Sequence, residues 1–354
     1  MRQTIVQQTI VRQTITRQTS KAIFSLLSIG VILCGSALAA DSQLMNLVMP
    51  DAKILAGVNA TSTRISPLGQ FVLAKIAVMI PDQQKLIAAT GFNPFQDVSE
   101  VLAATTADTT APGGLIMARG NFPVDKIVAA LSSGSGQGPQ VSTYGGATLI
   151  TITNSESKLA HGAAFLGTSI AIAGDLASVK AAIDRSTGAN SLDPALAVKV
   201  NALSSTEDEW LVSTAPIASL IPANAPIDTA NGPVAQVLPL LKSIQSFSGG
   251  VKLADNVVIT GEAVTSDPKN AQALSAVVKL GMTLLTSVTS NGKNAQLGDL
   301  AQLLQTMQLS TDGAALDFSL SIPEAQIENL LNSAHAVKTA AAVNPVRAEI
   351  HNGN

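Results

Sequence analysis

VSTYGGATLITI (residues 141–152) and LSTDGAALDFSL (residues 309–320) align without a gap and share Ser-Thr-x-Gly-x-Ala. Each reads as a β-hairpin, with apolar and β-branched residues on both sides of a tight glycine-containing turn, at Gly145-Gly146 in the first. The elements around them recur in the same order: strand, helix, strand pair, helix, hairpin. The pattern predicts an α+β fold in which two similar halves of antiparallel sheet pack against helices, an internal duplication sharing one sheet or cleft. The division falls near Asn190–Pro194, where Pro and Gly-Ala-Asn-Ser composition suits a linker. The expected organisation is a leader over 1–39, a first half over 40–190, a second over 191–335, and a mobile tail over 336–354 with little periodicity.

Working outward, KILAGVN (53–59) reads as a buried strand, and Ser66-Pro67 supplies a cap and an N1 proline for the helix that follows. Gly91 suits a helix C-terminus. Strands are expected near 98–105 and 114–119, a helix over 124–131, a hairpin or bent strand over 163–174, and a helix from Leu176 to Arg185. In the second half EWLVSTA (209–215) reads as a strand, and a helix over 233–244 carries a kink at Pro239. Two strands flank a turn at Asp255-Asn256, and Ser266-Asp267-Pro268 caps a long amphipathic helix. Pro323 opens the last one. Regular strand–helix–strand alternation is missing, which argues against a parallel sheet.

Residues 1–39 read as a secretory signal peptide. Arg2, Arg12, Arg17 and Lys21 form a basic region without acids, Ala22–Gly35 is apolar, and Ala37-Leu38-Ala39 offers the small residues that signal peptidases require. Cleavage is expected between Ala39 and Ala40, or one bond later before Asp41. The apolar stretch is shorter than the ~20 residues that span a bilayer. The expected location is therefore periplasmic or extracellular.

Removing the leader shifts the formal net charge from −3 to −7. An acidic chain without basic clusters is a poor partner for nucleic acid, whose phosphates need Lys and Arg on one face. Cys34 is the single cysteine and leaves with the leader, so the processed chain must hold together by packing alone. Eight Phe, one Tyr and one Trp cannot supply the aromatic girdles of an outer-membrane barrel. No segment after the leader approaches a membrane span.

The residues yield no catalytic, cofactor-binding or metal-ligating set. His161, His335 and His351 lack partners at ligand spacing. Glu207-Asp208-Glu209 reads as a solvated turn, and Gly134–Gly138 as a connector. Ser155 and Lys158 have the spacing of a serine acyl-enzyme but lie in a polar loop. Trp210 is expected in the core, Tyr144 at an exposed turn, and Arg119, Asp184 and Arg185 on the surface.

MPDAKILAGVN…SPLGQFVL, TGFNPFQDVSEVLAA, ARGNF and FLGTSIAIAGDLASVKAAIDR together resemble a group of uncharacterised secreted proteins of soil bacteria, of acidobacterial type, over about residues 47–215. The resemblance implies an exported α+β protein and carries over no site residue. The functional expectation is a non-catalytic binding or interaction protein of the envelope or secreted fraction, with an unidentified protein or small ligand as partner and no cofactor. The alternative is a secreted hydrolase whose site gathers residues distant in sequence, such as Asp175 or Glu262 with a Ser or Thr.

Overall fold

Antiparallel pairing runs unbroken through twelve strands among the described residues. The structure is a computed structural model describing residues 40–79, 83–107, 113–132, 139–153, 160–188, 192–220, 233–254, 256–289 and 303–329. The leader, the tail with His335 and His351, the Gly134–Gly138 connector, the Ser155–Lys158 segment and Asp255 lie outside them.

The first half contributes β1 (Ile54–Val58), β2 (Val98–Thr105), β3 (Gly114–Gly120), β4 (Gln140–Tyr144), β5 (Ala147–Thr153), β6 (Ala160–Leu166) and β7 (Ile170–Asp175). The second contributes β8 (Glu209–Ser213), β9 (Ile244–Leu253), β10 (Asn256–Thr265), β11 (Gln308–Asp312) and β12 (Ala315–Pro323). Their order is β11-β12-β10-β9-β8-β1-β2-β3-β7-β6-β5-β4. The α+β expectation therefore holds, and the halves share one sheet, joined where Ile54 faces Ser213 and Val58 faces Glu209. The two aligned hairpins, β4–β5 and β11–β12, form opposite edges of that sheet. The halves agree in strand succession but differ by the β6–β7 hairpin, which separates β5 from β3 in the first half.

Local chemistry explains the helices. Asp41 caps α1 (Ser42–Leu47) by accepting from the Gln43 and Leu44 amides at 2.8 and 3.2 Å. Helices α2 (Ala60–Thr63), α3 (Pro67–Met79), α4 (Gln83–Thr90), α5 (Pro94–Asp97) and α6 (Val124–Ser132) lie before β4. Gly91 ends α4 at φ +70°, as its sequence position implies. Asp175 caps α7 (Leu176–Arg185) and Asp193 caps α8 (Pro194–Thr206). Then follow α9 (Ile217–Leu220), α10 (Pro233–Lys242), with Pro239 inside it, and α11 (Pro268–Thr289).

Period-two alternation gives the sheet two faces. Leu55, Leu102, Leu115, Met117, Ile172, Trp210 and Val212 point to the first, where α1, α7 and α8 cover them in one core drawn from both sides of residue 190. The expected Asn190–Pro194 division is not a division in packing, since this core draws on residues from both sides of it. On the second face, Ile150, Ala163, Phe165 and Ala171 meet Ile127 and Leu131 of α6, with Phe122 between Phe92 and Phe165. Further along, Phe247 and Leu316 meet Leu240 of α10 and Leu274 of α11.

Two core helices were not legible as such. α1 lies directly behind the leader, and α8 occupies the stretch after the expected linker; yet Leu44, Leu196 and Val200 are fully buried. The acidic triplet also differs from expectation. Asp208 is 1% exposed, not solvated, because Lys252 Nζ (2.9 Å) and the Leu253 amide (2.7 Å) satisfy its carboxylate.

Candidate functional site

Among the described residues the sheet is covered at both ends of its second face but not in the middle. Here the outward alternation places Ile54 and Ala56 on β1, Ala103 and Thr105 on β2, Gly114 and Ile116 on β3, Ala173 on β7 and His161 on β6. These residues line an open groove of about 370 Å³. Its floor is low because Ala56, Ala103, Gly114 and Ala173 are small, and Ile54 and Ile116 rise beside them. At the other end of the same strands Val58, Val101 and Ala118 are buried, so the groove deepens only towards the β1 start. Leu211, next to Ala56 on β8, is 38% exposed and extends the apolar surface.

Polar groups gather at one end. His161 is exposed and lies across from Asp175, and Thr105 is half-buried. Asp175 spends Oδ1 on the Ser178 amide at 2.9 Å as the α7 cap, while its Oδ2 is buried without a partner among the described residues. No group of three or more His, Cys, Asp or Glu side chains suited to a metal ion occurs among the described residues.

The hydrolase constellation does not assemble. Asp175 is held at the α7 N-terminus by the Ser178 amide, whereas Glu262 is paired with Lys199 Nζ of α8 at 2.6 Å. The remaining candidates serve the fold. Trp210 is buried in the core, as expected. Tyr144 is half-buried, with its hydroxyl 3.1 Å from Asp184 Oδ2 and its ring 5.0 Å from Lys180 Nζ. Its phenol pKa is raised by the hydrogen bond to the Asp184 carboxylate. Arg185 donates to the Leu47 carbonyl at 2.8 Å rather than lying loose on the surface, and partial burial lowers its pKa.

Sequence reasoning missed a cluster on the first face. Arg119 Nε and Nη2 donate to Asp41 Oδ2 at 3.0 and 2.6 Å, and Nη2 also reaches Gln43 Oε1 at 2.7 Å. The Asp41 amide donates to Glu100 Oε1 at 3.1 Å. Burial pushes the Glu100 carboxyl up to about 7, against lowering by the Asp41 amide. The only signal for the cluster was the position of Glu100 and Arg119 in neighbouring strands.

No family model and no curated protein matches the chain. Solved structures similar to it include crystal form I of TP0453, at 10% identity and TM-score 0.44, covering 84% of this chain and 99% of that one, and crystal form IV, at 10% identity and TM-score 0.45, covering 81% and 95%.

Proposed function

We propose that this is an exported, non-catalytic binding protein whose open groove takes a small, largely apolar molecule with a polar end at His161 and Thr105. The groove carries the reading. Its ~370 Å³ lies within the usual range of ligand sites, and an apolar lining with few polar groups is their usual chemistry. Every strand beneath it is paired on both sides, so a peptide cannot add there as a further strand. What remains available is side-chain surface, which suits a molecule bound by apolar contact and oriented at one end.

Export is supported by the leader's charge and hydropathy pattern and by the position of α1. A cut before Ala40 or Asp41 removes none of the described residues beyond Ala40 itself. No helix among the described residues is long and apolar enough to cross a membrane.

The test is binding by the processed chain. An environment-sensitive apolar fluorophore should bind, be displaced by members of a fatty-acid, isoprenoid and aromatic-acid panel, and lose its site in Ala103→Phe. His161→Ala should weaken the acids more than their neutral analogues. A panel that neither displaces the probe nor raises the melting temperature, with Ala103→Phe behaving as wild type, would end this reading.

A further inference from the structure

The Asp41 cluster holds two carboxylates and one guanidinium, and the guanidinium is committed. Arg119 makes both its contacts with the acid to Asp41 Oδ2, fixing the residue that caps α1. Glu100 accepts from a neutral donor, the Asp41 amide at 3.1 Å. Arg64, which precedes α3, turns to the Phe95 and Val98 carbonyls at 3.3 and 2.7 Å. Burial and the Asp41 charge both disfavour the Glu100 anion, and only the shared Arg119 and the amide oppose them. Among the described residues the cluster is thus short of one positive charge, at the residue where the leader is expected to end.

We infer that Glu100 is the receptor carboxylate for the α-ammonium of the processed chain. This rests on the removal of the leader proposed above. Hydrolysis by a signal peptidase adds water across the bond, leaving a carboxylate on the leader and an ammonium on the chain. A cut before Asp41 places that charge on the atom already 3.1 Å from Glu100 Oε1. A cut before Ala40 places it one residue away, about 3.6 Å at full extension. In the Asp41 register the cluster closes with two negative and two positive charges. The same event places the new charge at the start of α1, whose Leu44 and Leu47 are core residues. Before processing, Glu100 near neutral pH must keep its proton or bear an unbalanced charge. The precursor is therefore the less stable form, which suits a chain that crosses a membrane unfolded.

The experiment compares chains cut in vitro to start at Ala40 or Asp41 and running to Asn354, with the α-amine either free or selectively acetylated. At pH 7, acetylation should lower the folding equilibrium constant by about 10-fold, and at pH 5, where Glu100 is protonated, by less than about 2-fold. In Glu100→Gln acetylation should have no effect at either pH. The amine itself gives a second measurement on unmutated protein. Its pKa should lie about one unit above the ordinary ~7.7–8.0 and fall back in Glu100→Gln. An amine that titrates normally, or an acetylation penalty that persists in Glu100→Gln, overturns the inference. N-terminal sequencing of exported protein decides the reading of the leader separately: a first residue other than Ala40 or Asp41 overturns that reading, whatever the cut chains show.

Discussion

Gly57 of β1 lies opposite Trp210 of β8, and the indole fills the space where a side chain at residue 57 would begin. The contact sits on the seam between the halves, so the absence of a Cβ on one strand lets the largest side chain of the other cross it. Trp210 is 6% exposed there and joins the core shared with Leu55 and Val212. The same device recurs where Phe318 of β12 lies over Gly261 of β10.

Gly57→Ala should therefore destabilise the chain by about 1–3 kcal/mol, the usual cost of overpacking a well-filled core. The methyl meets a rigid indole rather than a flexible chain end, so relaxation is limited. In a Trp210→Leu background the same substitution should cost much less. Urea denaturation of the four proteins of that cycle gives the coupling. Additive effects would show that the indole is not what excludes a side chain at 57.

Asp208→Ala should cost more than Lys252→Met. The first leaves the Leu253 amide without its acceptor and strips Lys252 of its partner, a loss on the order of 2–3 kcal/mol. The second leaves Asp208 with its amide bond, and Lys252 is already 37% exposed. Denaturant midpoints at pH 7 rank the two.

The fold was legible where turn chemistry and alternation coincide. Gly145, Gly146 and Gly313 stand at positive φ in the two hairpin turns, so glycine and strand pattern marked the same places. Asp267 caps α11 where Asp-Pro stands in the sequence. The reading failed where local pattern and burial part company. α8 has alternating small and apolar residues around Val198, which is 69% exposed, so PALAVKVNALSST shows no clean stripe although Leu196 and Val200 are fully buried. The groove was invisible for a different reason. Ala56, Ala103 and Ala173 are ordinary strand residues, and only register brings them side by side.

Stability should fall as pH rises from about 4.5 towards 7 in a chain whose α-amine is blocked. Glu100 keeps its proton to about pH 7 when folded and to about 4.5 when unfolded. Between those values the folded chain binds more protons, so the slope against pH is negative and stability is full below the lower value. Arg119→Gln removes a charge that favours the Glu100 anion and should extend the decline above pH 7. Glu100→Gln should flatten it. Urea titrations from pH 4 to 8 read all three, and a blocked chain with a flat profile would contradict the environment assigned to Glu100.

Ala103 and Ala104 are chain neighbours on opposite faces of β2, and they should respond oppositely to enlargement. Ala104 is 4% exposed within the core of the first face, so Ala104→Phe has nowhere to place its ring and should cost about 3 kcal/mol or more, enough to impair folding. Ala103 lines the groove, half-buried, with open space above it. A ring there displaces solvent rather than protein, and Ala103→Phe should change stability by less than about 1 kcal/mol. The same ring occupies the volume assigned to the ligand and should abolish probe binding. A stable Ala103→Phe chain that has lost the probe site separates occupation of the groove from damage to the fold, whereas one as destabilised as Ala104→Phe would mean that the middle of the second face is packed rather than open.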